Sequence, residues 1–127
     1  MADVVYLVQD MMFTSKIREV ARQTGVSVQA ARDPSALAGA AAGGARLVIL
    51  DLRLPAALDA LARLASDATT RAIPSLGFID HEKTEVMDAA RAQGCGQVMA
   101  KGQFANALPK IFGGLASAPP APSIPER

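Results

Sequence analysis

The sequence predicts an α/β domain, a doubly wound five-stranded parallel sheet of order 2-1-3-4-5. Three observations predict it. Short runs of Val, Ile and Leu alternate with longer stretches of helical spacing, as strands and helices do around a parallel sheet. Five such strand–helix pairs follow one another, and right-handed crossovers then wind the helices onto both faces. Half of the 127 residues are apolar, enough for the core of one ordinary domain.

Residues 4–8 form the first strand. Phe13, Ile17, Val20 and Ala21 fall on one face of a helix that ends near Gly25. Residues 26–30 make a short second strand. Asp33 followed by Pro34 reads as an N-cap with proline in the first turn, opening an Ala-rich helix that Gly43 and Gly44 terminate. Residues 47–50 are the third strand, and 57–66 a helix with Leu58, Leu61, Leu64 and Ala65 on one side.

A polar loop leads through Ile73 and Pro74 to the fourth strand, 75–79, and to a helix over 83–93 that stops at Gly94. The fifth strand is 97–100. Phe104, Leu108, Ile111, Phe112 and Leu115 mark a last helix, with Pro109 placed in its first turn, where a missing amide is harmless. The domain is expected to span 1–115. Residues 116–127 are Pro-rich without apolar period and are expected to be a disordered tail.

Thirteen Lys and Arg against twelve Asp and Glu leave a formal charge of +1, spread along the chain, so no basic face for nucleic acid is expected. Cys95 is the single cysteine and His81 the single histidine, which excludes an internal disulfide and a zinc cluster. The opening MADVVYLVQD lacks the form of a signal peptide, and no apolar run reaches the ~20 residues of a membrane span. A cytoplasmic protein without membrane attachment is expected.

The stretch RLVILDLRLP, 46–55, delivers one carboxylate, Asp51, to the end of a buried strand. In a sheet of this order the chain reverses its winding between strands one and three, and sites form outside their carboxyl ends. Asp10 ends the first strand, so Asp10 and Asp51 should converge. Each has a purely structural reading as well: Asp51 as a strand-ending acceptor of loop amides, Asp10 as the N-cap of the first helix.

Through VVYLVQD, the DLRLP turn, RAIPSLGFI and QVMAK, the chain resembles the receiver domain of two-component response regulators over about residues 3–115. The resemblance implies a flavodoxin/CheY-like fold and a phosphorylation site at Asp51. It implies Mg²⁺ held by Asp10, Asp51 and the Arg53 backbone carbonyl, with Lys101 gripping the phosphoryl oxygens. It further implies a histidine kinase or phosphotransfer protein as partner, and a homodimer through the face of the fourth helix, fifth strand and fifth helix.

The sequence departs from the family pattern at several of these places. Gln9 stands where a second acid is usual, which weakens Mg²⁺ binding. Ile79 replaces the switch Ser or Thr, Val98 the partner aromatic, Gly102 the proline after the lysine, and Asp59 a glycine. Ile79, Asp80 and His81 are the candidates for an altered switch. The expected function is therefore a stand-alone atypical receiver, a pseudo-receiver, that signals by protein contact rather than as an enzyme. The alternative is a working acceptor in a His-Asp phosphorelay, phosphorylated on Asp51 with Mg²⁺.

A haloacid-type phosphatase would need a second acid two residues after the nucleophile, and Arg53 stands there. Cys95 reads as a small packing residue. The GAAAGGA stretch reads as a helix end, since it lacks the Lys-Ser/Thr of a phosphate loop. Of the trio Met11, Met12 and Phe13, Phe13 is expected in the core and one Met exposed.

Overall fold

Strands buried on both faces should be largely hydrophobic, and the three central ones are, apart from Asp51, Ser75 and Gly77. The computed structural model describes residues 2–117. In it β1 (Val4–Leu7), β3 (Leu47–Asp51) and β4 (Ser75–Ile79) are buried at every position. The chain runs β1, α1 (Met11–Thr24), β2 (Val28–Ala30), α2 (Pro34–Ala42), β3, α3 (Ala56–Ser66), β4, α4 (Thr84–Ala92), β5 (Gln97–Ala100), α5 (Lys101–Ser117). All pairings are parallel, and the sheet order is β2-β1-β3-β4-β5. The predicted fold class is the observed one.

The pleat sends alternate side chains to opposite faces and so divides the core in two. Val4, Tyr6, Ile49, Leu76 and Phe78 face α1 and α5, where Ile17, Val20, Phe104, Leu108 and Phe112 meet them. Val5, Leu7, Val48 and Leu50 face the other way, onto Leu37 of α2 and Leu61 and Leu64 of α3. Phe78 and Phe104 stack with ring centroids 4.3 Å apart. Phe13 leans on Phe78 at 4.8 Å but stays half-buried at the rim.

The helix ends follow the expected capping chemistry. Asp10 accepts from the amides of Met12 and Phe13 at the start of α1, and Asp33 from Ala36 at the start of α2. Gly25 closes α1 with φ of 79°, a left-handed conformation in which a side chain would be strained.

Four expectations need correction. The last helix starts at Lys101, directly after β5, so Pro109 lies well inside its 17 residues rather than in the first turn. An interior proline costs about 3 kcal/mol. Burying Phe104, Leu108 and Phe112 on the sheet contributes about 1.5–3 kcal/mol each, which outweighs it. The same helix takes in Ala116 and Ser117, and the rest of the expected tail lies outside the described residues. Met11 and Met12 are both exposed, at 82% and 77%, because Asp10 caps the helix in a register that turns both outward. The second strand is also shorter than 26–30, because Ser27 is tied to Asp3 before pairing with β1 begins.

The segment after β3 is anchored by a close approach. Leu52 donates its amide to the Phe78 carbonyl and packs over Gly77, where an added Cβ would lie 2.8 Å from its Cδ1. That contact fixes the backbone between Asp51 and Arg53, and with it the direction of both side chains.

Candidate functional site

The carboxyl ends of β1, β3, β4 and β5 bring together Asp10, Asp51, Arg53, Asp80 and Lys101. Asp51 is the last residue of β3 and is 1% exposed. Its Oδ1 accepts from the backbone amide of Arg53 at 3.1 Å and from Arg53 Nε at 3.0 Å. Its Oδ2 accepts from Arg53 Nη2 at 3.0 Å. The same Nη2 donates to Asp10 Oδ2 at 3.0 Å, so one guanidinium joins the two carboxylates. Asp10 keeps its other oxygen for the α1 N-terminus.

The electrostatics follow this geometry. Hydrogen bonding to Arg53, aided by the Phe13 amide, holds the Asp10 carboxyl below the usual carboxylate range. Asp51 and then Asp10 hold the Arg53 guanidinium well above its ordinary value. Such a fork, with charged partners on each hydrogen bond, is the strong form of carboxylate recognition.

Lys101, the first residue of α5, pairs with Asp80, at 2.7 Å from Nζ to Oδ1. Its ammonium group lowers the Asp80 pKa. The convergence of Asp10 and Asp51 expected from the sheet order is thus observed, whereas Lys101 is engaged by Asp80. Beyond the backbone carbonyl that the resemblance assigns to the site, the Arg53 side chain itself enters it. The signal was present in the sequence: an arginine two residues past a strand-ending aspartate can reach back around the turn.

Ile79 ends β4 in the core at 3% exposure, and Val98 is half-buried against the same cluster. Neither offers a hydroxyl or a ring edge to Asp51. His81 is exposed and borders, with Asp80, Glu82 and Lys101, an open cleft of about 300 Å³. Gln9 is exposed and lines a different cleft, shared with Arg32 between the ends of β1 and β2. Cys95 is buried, its thiol pushed up by burial, as a packing residue should be.

Mg²⁺ requires near-octahedral oxygen ligands from one or two carboxylates with water and carbonyls. Asp10 and Asp51 have the right chemistry, but both turn their oxygens to Arg53. In this arrangement the donor set fits a guanidinium rather than a divalent ion.

No protein-family model matches the sequence, and no curated protein matches it. Solved structures do match it. A response regulator receiver domain from Rhodospirillum rubrum superposes with a TM-score of 0.72 at 22% identity, over 91% of this chain and 94% of that one. This chain has the receiver-domain fold. The receiver domain of a sensor histidine kinase from Pseudomonas aeruginosa, with magnesium in its active-site cleft, gives 0.76 at 15% identity over 92% and 98%. A response regulator from Chloroflexus aurantiacus gives 0.77 at 16% over 92% and 98%. The receiver fold places Asp51 of this chain at the end of β3, beside Asp10. Among the described residues no helix is long and apolar enough to cross a membrane.

Proposed function

We propose that this protein is an atypical receiver that signals in the cytoplasm through protein contacts and performs no enzymatic turnover. The observation that carries the reading is Ile79. At the end of β4, where a charged Asp51 would need a hydroxyl to report on it, there is a sealed hydrocarbon side chain. Val98 extends the same apolar surface into β5. A charge on Asp51 meets no hydroxyl or aromatic side chain at Ile79 or Val98 through which β4 and β5 would report it.

The partner surface in this reading is the face of α4, β5 and α5, used for a second copy of the chain or for a histidine kinase or phosphotransfer protein. Two features support it. β5 is an edge strand with Gln97 exposed and its other residues half-buried. α4 buries only Ala90, leaving most of its surface free to be read.

The test is to incubate the protein with acetyl phosphate and Mg²⁺ and to measure intact mass and oligomeric state, with Asp51→Asn as control. The expected result is no phosphate adduct on Asp51, or an adduct that leaves association unchanged. An adduct absent from Asp51→Asn that alters association would establish the phosphorelay reading instead. That alternative draws its support from the position of Asp51 beside Asp10.

A further inference from the structure

We propose that Arg53 is a resident counter-ion, standing between Asp10 and Asp51 where a divalent cation would stand and keeping the site closed to Mg²⁺. The inference concerns what neutralises the two carboxylates and is independent of how the protein signals.

Occupancy is the first argument. Nη2 lies 3.0 Å from Asp10 Oδ2 and 3.0 Å from Asp51 Oδ2, so a single nitrogen bridges the pair. A cation ligated by both carboxylates would have to take that nitrogen's place, and the two positive charges repel. Nε adds a bond to the remaining oxygen of Asp51.

Tethering is the second. Arg53 is two residues from Asp51, its amide is bonded to Asp51 Oδ1, and the intervening Leu52 is buried over Gly77. The guanidinium is therefore presented at high local concentration, whereas a metal must be drawn from solution. Mg²⁺ also gives up its water reluctantly.

Access is the third. The Asp51 side chain is 2% exposed and that of Arg53 is 34% exposed, so the arginine lies over the acid. Gln9 supplies no further negative charge, and Asp80 is committed to Lys101 at 2.7 Å. The local charge is two carboxylates and one guanidinium, a net of about −1, so the arginine supplies in covalent form half of the neutralisation that a divalent ion would bring and leaves no second vacant carboxylate for that ion.

The test uses Mn²⁺ as a paramagnetic stand-in, read by water-proton relaxation, together with thermal melts across a Mg²⁺ series. Three proteins are compared: wild type, Arg53→Ala, and Arg53→Ala with Asp51→Asn. The expected result is no ion-dependent change in wild-type Tm, an Arg53→Ala variant that binds Mn²⁺ at least about tenfold more tightly and is stabilised by Mg²⁺, and loss of both effects in the double variant. Equal ion affinity in wild type and Arg53→Ala overturns the proposal, and so does absence of binding in both. If Arg53→Ala does not fold in the absence of ions, Arg53→Gln, which retains the stem and removes the charge, gives the same comparison.

Discussion

The ammonium of Lys101 lies 2.7 Å from Oδ1 of Asp80, joining the first residue of α5 to the residue that follows β4. The pair closes one side of the site and turns the lysine toward the β4–α4 loop. It also shows why a residue in the expected sequence position need not have the expected partner: Asp51 is already neutralised by Arg53.

Both members of that pair are partly open to solvent, at 39% and 31%, and exposed pairs contribute little. Lys101→Ala should therefore leave the midpoint of urea unfolding almost unchanged. A marked fall would mean that Lys101 also bears on Asp51.

The Arg53–Asp51 pair should respond asymmetrically. Arg53→Ala strands a buried carboxylate with only the backbone amide at residue 53 as donor, and should cost on the order of 3 kcal/mol. Asp51→Asn leaves an amide oxygen that can still accept, and a guanidinium that retains Asp10, and should cost about 1 kcal/mol. Chemical denaturation of both variants checks the order, and equal losses would contradict it.

Acid should act through the carboxyls that their partners hold low, Asp10 and Asp80 at the site, and Glu19 beside Arg22 and Asp67 beside Thr69 elsewhere. Arg53 lowers Asp10 and Lys101 lowers Asp80 below the ordinary value of 3.8. A carboxyl with a depressed folded-state pKa adds stability that is fully present above 3.8 and is lost as the pH falls through the folded value. Tm should accordingly be insensitive to these groups at neutral pH and fall below about pH 4. Combining Asp10→Asn, which keeps the α1 cap, with Asp80→Asn should make that fall shallower in melts recorded against pH.

Packing sets a fourth expectation. A Cβ at Gly77 would lie 2.8 Å from Leu52 Cδ1 and 2.9 Å from its Cγ, so Gly77→Ala should destabilise by about 1–3 kcal/mol. Leu52→Ala removes the obstructing atoms at its own cavity cost of about 2–5 kcal/mol. The double variant should lose less than the two single losses added, by about 1 kcal/mol or more, in a double-mutant cycle. Strict additivity would place the strain elsewhere.

Most of the fold was legible because its signals are local. Short continuous runs such as LVIL at 47–50, bounded by Gly43-Gly44 and Leu54-Pro55, read as strands covered on both faces, and Asp10, Asp33 and Gly25 mark helix ends through bonds or dihedral angles confined to a few residues. Pro109 misled for the same reason: its local preference is against a helix interior, and the burial of Phe104, Leu108 and Phe112, on strands distant in sequence, overrides it. Both methionines point outward because the Asp10 capping bonds and the buried stripe Ile17, Val20 and Ala21 together set the phase of α1.

Five βα units with right-handed crossovers favour the common order 2-1-3-4-5, which the structure has, and that order brings the ends of β1 and β3, and so Asp10 and Asp51, together. What could not be read along the chain was which cation meets them. Arg53 and Lys101 are both basic residues at strand ends, and either could have reached Asp51. The choice rests on where the backbone after β3 is pinned, by Leu52 over Gly77, and on Asp80 lying within reach of Lys101. Ion pairing depends on distances between elements set by packing, and those distances exist only once the chain has folded.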